Sequence, residues 1–121
     1  MIADDYSGLP HAEFVQAYGT WHYGKPERLS FVYLLGILRV TREHIREIID
    51  FDTDQIKPEC LNMAWQTALS RRTIMLVYNL YCYWMPSEYP EDCSPSALFD
   101  DDKIRKFMLH GIEIRYRGDN T

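Results

Sequence analysis

Two runs of side chains constrain this chain more than any other feature. Residues 29–38 read LSFVYLLGIL and residues 74–85 read IMLVYNLYCYWM, each apolar on nearly every side of a helix. Both fall well short of the roughly 18 residues a membrane span needs. The place left for them is a protein core, and a helix apolar all round belongs at the centre of a bundle rather than on its surface. A chain of 121 residues makes one domain, large enough to bury about two thirds of the surface its unfolded form exposes.

Shorter amphipathic segments surround the two runs. Phe14, Tyr18 and Trp21 recur at helical spacing after Pro10 and predict a first helix of about three turns. The first apolar run predicts a second helix from Pro26 to Arg39, since proline suits a first helical turn. Thr41 is placed to cap a third, with Ile45, Ile48 and Ile49 on its buried edge. Asp50 to Pro58 is a polar connection, and Leu61, Ala64, Trp65, Ala68 and Leu69 mark one face of a fourth helix. Ser70 is placed to cap the fifth, the second apolar run. Pro86, Pro90 and Pro95 then break the chain, with a short turn expected after Ser94. Ile104, Phe107, Met108, Gly111 and Ile112 carry the i, i+3, i+4, i+7, i+8 pattern of a last helix from about Asp101. The expected fold is an all-α, compact bundle of five or six helices with two apolar central helices. It forms a single helical domain over 1–121, with 1–9 and 118–121 as loose termini.

Charge and cysteine usage narrow the function classes. Thirteen Lys and Arg against eighteen Asp and Glu give a net charge of −5, which argues against a global nucleic-acid-binding surface and leaves only a local basic patch open. Cys60, Cys82 and Cys93 are widely spaced with no CxxC pair, so neither a zinc site nor a disulfide framework is expected, and a reducing cytoplasm is the natural setting. Asp50, Asp52 and Asp54 open like a calcium loop, but Gln55 stands where the sharp turn needs glycine and Leu61 where the bidentate glutamate belongs. They read as a solvated acidic loop. His11, His22, His44 and His110 have no ligand spacing and read as structural. No nucleophile, metal set or paired general acid and base stands out, so no enzymatic activity and no cofactor is expected. Cys60, in the first turn after Pro58, is the one thiol that a helix dipole could activate.

Two constellations remain. Ser70-Arg71-Arg72 puts two cations in the first turn of a helix, where the dipole favours acids. Ion pairing with Glu59 or the Asp50–Asp54 loop would resolve the conflict. So would an anion held by Ser70, Arg71 and Arg72, with Arg42 and Arg46 extending the surface. The second constellation is a run over residues 86–102 with Glu88, Glu91, Asp92, Asp100, Asp101 and Asp102 and no base. It adjoins Tyr81 and Trp84, residue types favoured at protein interfaces. The three aspartates also suit the start of the last helix.

The ordered series LSFVYLLGIL, TREHI, KPECL, AWQT, SRRT, LVYNLY, ALFDDD and IEIRY, from about Phe14 to Arg117, resembles a family of small proteins of unknown function. That family is found in Gram-positive gut bacteria and their phages and conjugative elements. The resemblance implies no activity and no catalytic residue. It implies a small accessory gene on mobile DNA, a context rich in proteins that block host machinery, CRISPR nucleases included. The expected function is therefore non-enzymatic binding of another protein through Glu88, Asp92, Asp100, Asp101, Asp102, Tyr81 and Trp84. A homodimer is a further option. The alternative is a small anion or nucleic acid at the Arg71/Arg72 helix start.

Overall fold

The computed structural model describes residues 9–87 and 99–117. Within them the chain runs α1 (Leu9–Ala17), α2 (Gly19–His22), α3 (Pro26–Leu35), α4 (Arg39–Glu43), α5 (Ile45–Ile48), β1 (Ile49–Asp50), β2 (Gln55–Ile56), a 3-10 turn (Pro58–Asn62), α6 (Ala68–Cys82) and α7 (Asp102–Arg117). The protein is a mostly helical bundle, as the periodicity predicts. Its β-structure among the described residues is one antiparallel pair of two-residue strands, Ile49 opposite Ile56 and Asp50 opposite Gln55. No helix among those residues is long and apolar enough to cross a membrane.

The first apolar run forms the centre. Leu29, Ser30, Phe31, Val32, Leu34 and Leu35 of α3 are all buried, because α6 packs on one side of α3 and α7 on another. From α6 come Ile74, Val77 and Tyr78, and from α7 Ile104, Met108 and Ile114. The second run is central only in part: it leaves the core at its last turn, where Cys82 and Tyr83 are exposed. Ser30 Oγ donates to the Gly111 carbonyl at 2.8 Å. Arg115 Nε donates to the Leu80 carbonyl at 2.6 Å, covering one of the carbonyls that the end of α6 leaves without an intrahelical partner.

Several expected boundaries move, each for a tertiary reason. The first helix is two pieces, broken at Tyr18, whose ring stacks on Phe51 at 4.8 Å. The second ends at Leu35 rather than Arg39. A Cβ on Gly36 would lie 2.8 Å from the His11 ring and 2.9 Å from Phe14, so glycine lets α1 close over the end of α3. Thr41 does not cap a helix start. It lies inside α4, completely buried, and its hydroxyl donates back to the carbonyls of Leu35 and Leu38. Residues 61–69 do not form a fourth α-helix: after the 3-10 turn the chain bends through Met63–Gln66, and α6 starts only at Ala68. Trp65 is drawn out of helical register by stacking flat on His44, 4.2 Å between centroids, while His44 Nδ1 pairs with Glu47 Oε1 at 2.7 Å. Ser70 is not the N-cap of α6. Thr67 is: its hydroxyl accepts the Ser70 N–H at 3.0 Å, and the Ser70 hydroxyl accepts the Thr67 N–H at 2.8 Å, a closed capping box. The turn expected after Ser94 lies outside the described residues.

The acidic loop is more than a solvated surface. Asp54 adopts a left-handed conformation (φ 60°). Its carboxylate accepts from Trp21 Nε1 at 2.9 Å and Arg28 Nη2 at 2.7 Å, and its carbonyl accepts from the Tyr81 hydroxyl at 3.0 Å. One residue thus pins the β1–β2 turn to α2, α3 and α6.

His11 is a structural histidine with a consequence for pH. It is buried, and its Nε2 lies 2.8 Å from the Tyr33 carbonyl. Burial lowers its pKa below the usual value near 6.5; the Tyr33 hydrogen bond opposes the shift and the Arg42 charge adds to it. The folded state therefore holds the proton less tightly than the unfolded chain. This contribution is present in full above about pH 6.5 and falls as the pH drops toward the lowered folded value. Urea midpoints from about pH 7.5 to about pH 5.5 (roughly one unit above and below the ordinary value) are expected to decline more steeply for the wild type than for His11→Gln. Parallel declines would remove the assignment.

Candidate functional site

The site is a cleft beside α6, of about 550 Å³, lined by Pro58, Leu61, Asn62, Arg71, Met75, Trp84, Pro86 and Ser87. Three short stretches of chain build it. Pro58 starts the 3-10 turn, which supplies one wall. Arg71 and Met75, one helical turn apart, form the floor. The third side exists because α6 ends abruptly: Tyr83 takes a left-handed conformation (φ 63°) and its N–H closes on the Asn79 carbonyl at 2.8 Å. The chain reverses there, a common helix ending. Trp84 folds back against Tyr78 edge-to-face at 5.4 Å, and its carbonyl accepts from Asn79 Nδ2 at 3.3 Å.

The walls are held by a buried polar network. Gln66 Nε2 donates to the Cys60 carbonyl at 3.0 Å, and the Ser70 hydroxyl reaches Gln66 Oε1 at 2.5 Å. The Tyr78 hydroxyl donates to the Ile48 carbonyl at 2.7 Å and lies 3.4 Å from Cys60 Sγ. These bonds fix the 3-10 turn against α6, so the cleft is preformed, which lowers the ordering cost of binding. Cys60 is not an activated thiol. It is completely buried, and burial pushes its pKa up, against a smaller lowering by the Tyr78 hydrogen bond.

The fold brings Arg71 and Trp84, from two different constellations, into one cleft, and separates the others. Ser70 is completely buried and its hydroxyl is engaged within the capping box and with Gln66. Arg72 is half-buried outside the cleft lining, and neither it nor Arg71 is without a partner. Arg42 Nη1 donates to the Gly36 carbonyl at 2.7 Å, capping the end of α3. Arg46 lines a second, smaller hollow with Asp50, Asp52 and Lys57. Tyr81 turns inward, its ring 5.0 Å from Phe31 and its hydroxyl on Asp54.

Of the acidic run, Asp101 accepts the Lys103 N–H at 2.8 Å and Asp102 pairs with Arg105, so both serve the start of α7. Asp100 is exposed. Glu88 and Asp92 lie outside the described residues. Sequence reasoning missed Leu61, Asn62 and Met75. Nothing local marks them, because their common environment is created by the chain reversal at Tyr83.

The model of a family of unknown function, DUF6075, matches residues 10–121. No curated protein and no solved structure matches the chain. With the family match covering nearly its whole length, the chain belongs to the DUF6075 family of unknown function.

Proposed function

We propose that this protein is a non-enzymatic protein-binding module whose α6 cleft receives an apolar side chain of a partner next to a carboxylate. The observation that carries this reading is the convergence of Trp84, Met75 and Arg71 in one preformed cleft. Trp, Met and Arg are the residue types enriched where proteins meet, and tryptophan and arginine dominate binding energy there. Tyr83 and Met85, on either side of Trp84 in the chain, are largely exposed. Among the described residues the polar groups of the lining are Asn62, Arg71 and Ser87, a set suited to recognition. The narrower version, an inhibitor of a host defence system such as a CRISPR nuclease carried on mobile DNA, rests on the sequence resemblance. The free thiols of Cys60 and Cys82 fit a cytoplasmic setting.

Selection of displayed peptides on the wild-type protein tests the cleft. The expected ligands share an apolar residue flanked by Asp or Glu. Arg71→Ala and Trp84→Ala should each weaken them by about tenfold or more, the scale of an interface anchor. Because Trp84 also packs on Tyr78, Leu61→Asp serves as a second probe of the same cleft, and thermal melts accompany all three. Peptides that bind folded variants as well as they bind the wild type would place recognition elsewhere.

A further inference from the structure

The outward face of α7 carries a charge pattern that reads the same in both directions with its signs inverted. Ile104, Met108, Gly111 and Ile114 face the core. At 100° per residue, Asp102, Lys106, Leu109, Glu113, Tyr116 and Arg117 fall on one arc on the opposite side. All six are exposed; Leu109 is 49% and Tyr116 66% exposed, unusual values for large side chains on a helix that otherwise buries its apolar stripe. The charges run Asp102 (−), Lys106 (+), Glu113 (−), Arg117 (+), with gaps of four, seven and four residues. Turned end for end, the same helix presents plus, minus, plus, minus at the same gaps.

We infer that α7 is a self-complementary docking helix that pairs antiparallel with α7 of a second copy of this chain. In that register Asp102 faces Arg117 and Lys106 faces Glu113, each pair occurring twice, and the two Leu109 side chains meet beside the axis. This is the isologous contact a two-fold dimer requires. A heterologous partner would have no reason to impose the inverted symmetry of the four charges. Within one helix, Glu113 already lies 3.6 Å from Arg117 and 3.8 Å from His110, and Asp102 pairs with Arg105. Exposed pairs of this kind contribute little to an isolated helix, and a carboxylate accepts from two donors at once, so they do not prevent pairing across the axis. A helix of 16 residues spans about 24 Å. The contact is consequently small, and the dimer weak, with a dissociation constant on the order of 10–1,000 µM.

Sedimentation velocity of the full chain over a concentration series tests the inference. A monomer–dimer equilibrium is expected, shifted toward monomer as added salt screens the pairs. Lys106→Glu and Glu113→Lys should each raise the dissociation constant about tenfold or more, since each places like charges opposite one another twice. Mixed together, the two variants should associate again. The acid introduced at position 106 of one then meets the base introduced at position 113 of the other, and the unchanged Glu113 of the first meets the unchanged Lys106 of the second. The milder Lys106→Gln and Glu113→Gln should weaken the dimer without reversing it. A wild type that stays monomeric throughout, single reversals that still dimerise, or a mixture that fails to recover would each overturn the inference. Peptide binding at the α6 cleft is read separately and does not enter this test.

Discussion

Gly111→Val is expected to lower stability by more than about 3 kcal/mol, and Gly111→Ala by about 1–3 kcal/mol. A Cβ at Gly111 would lie 2.3 Å from Leu34 Cδ2 and 2.5 Å from Leu34 Cγ. Leu34 is completely buried in α3, and the close atom at its branch point does not swing aside. The added methyl therefore separates α3 from α7. Helix propensity works in the other direction, favouring alanine over glycine by about 1 kcal/mol. The sign of the Gly111→Ala effect thus decides which dominates. Urea denaturation is the measurement, and a stabilised Gly111→Ala would show that the two helices do not meet here. Leu34→Ala alone should cost about 2–5 kcal/mol. Combined with Gly111→Ala it should cost less than the sum, because the new methyl fills part of the space that Leu34 leaves.

Tyr78→Ala is expected to cost about 3–5 kcal/mol, the range for a large aromatic ring removed from a core. The ring is completely buried, touching Trp84 on the cleft side. Tyr78→Phe should cost only about 1–2 kcal/mol. It loses the bond to the Ile48 carbonyl, yet that oxygen keeps the Lys57 N–H at 2.9 Å. The phenol also predicts behaviour in alkali. Burial is the main reason its pKa lies far above the ordinary value, and the Cys60 thiol beside it adds to the shift. The folded state holds this proton more tightly than the unfolded chain does. Its contribution is complete below about pH 10 and diminishes above that, by about 1.4 kcal/mol for each further pH unit. Tyr78→Phe should flatten the alkaline limb of a stability–pH curve. A slope that persists at its wild-type value would assign the effect to Tyr33 and Tyr81, whose pKa values burial also raises.

Much of the bundle is legible in the chain, whereas of the candidate site only Arg71 and Trp84 are, and not their meeting in one cleft. The burial of residues 29–32, 34 and 35 follows from apolarity on nearly every side of the helix. The 102–117 helix follows from Ile104, Met108 and Gly111 at helical spacing and from the aspartates that precede it. By contrast, Leu61, Ala64 and Trp65 stand at helical spacing with Ala68 and yet lie in a 3-10 turn and a bend, and only Ala68 begins a helix. There periodicity competes with contacts that join distant parts of the chain: Trp65 on His44, Lys57 N–H on the Ile48 carbonyl, Cys60 against Tyr78. Arg42 illustrates the same limit. As a cation near Arg46 it suggests an anion surface, but the carbonyl that occupies it belongs to Gly36, at the end of the preceding helix.

The sequence by itself determined the helical class, the central position of the first apolar run, and Ile104, Met108 and Gly111 in the core-facing stripe of the last helix, whereas Phe107 and Ile112 are only half-buried and Ile114 completes the stripe. What it determined depends on residue type and on spacing within one element. Only the tertiary structure decided that Thr67 closes the capping box, that Asp54 pins a turn to three helices, and that Arg71 and Trp84 share a cleft. Each of those outcomes turns on a backbone direction, such as the left-handed turns at Asp54 and Tyr83. Such a turn costs little locally in comparison with the remote hydrogen bonds and ring contacts that it permits.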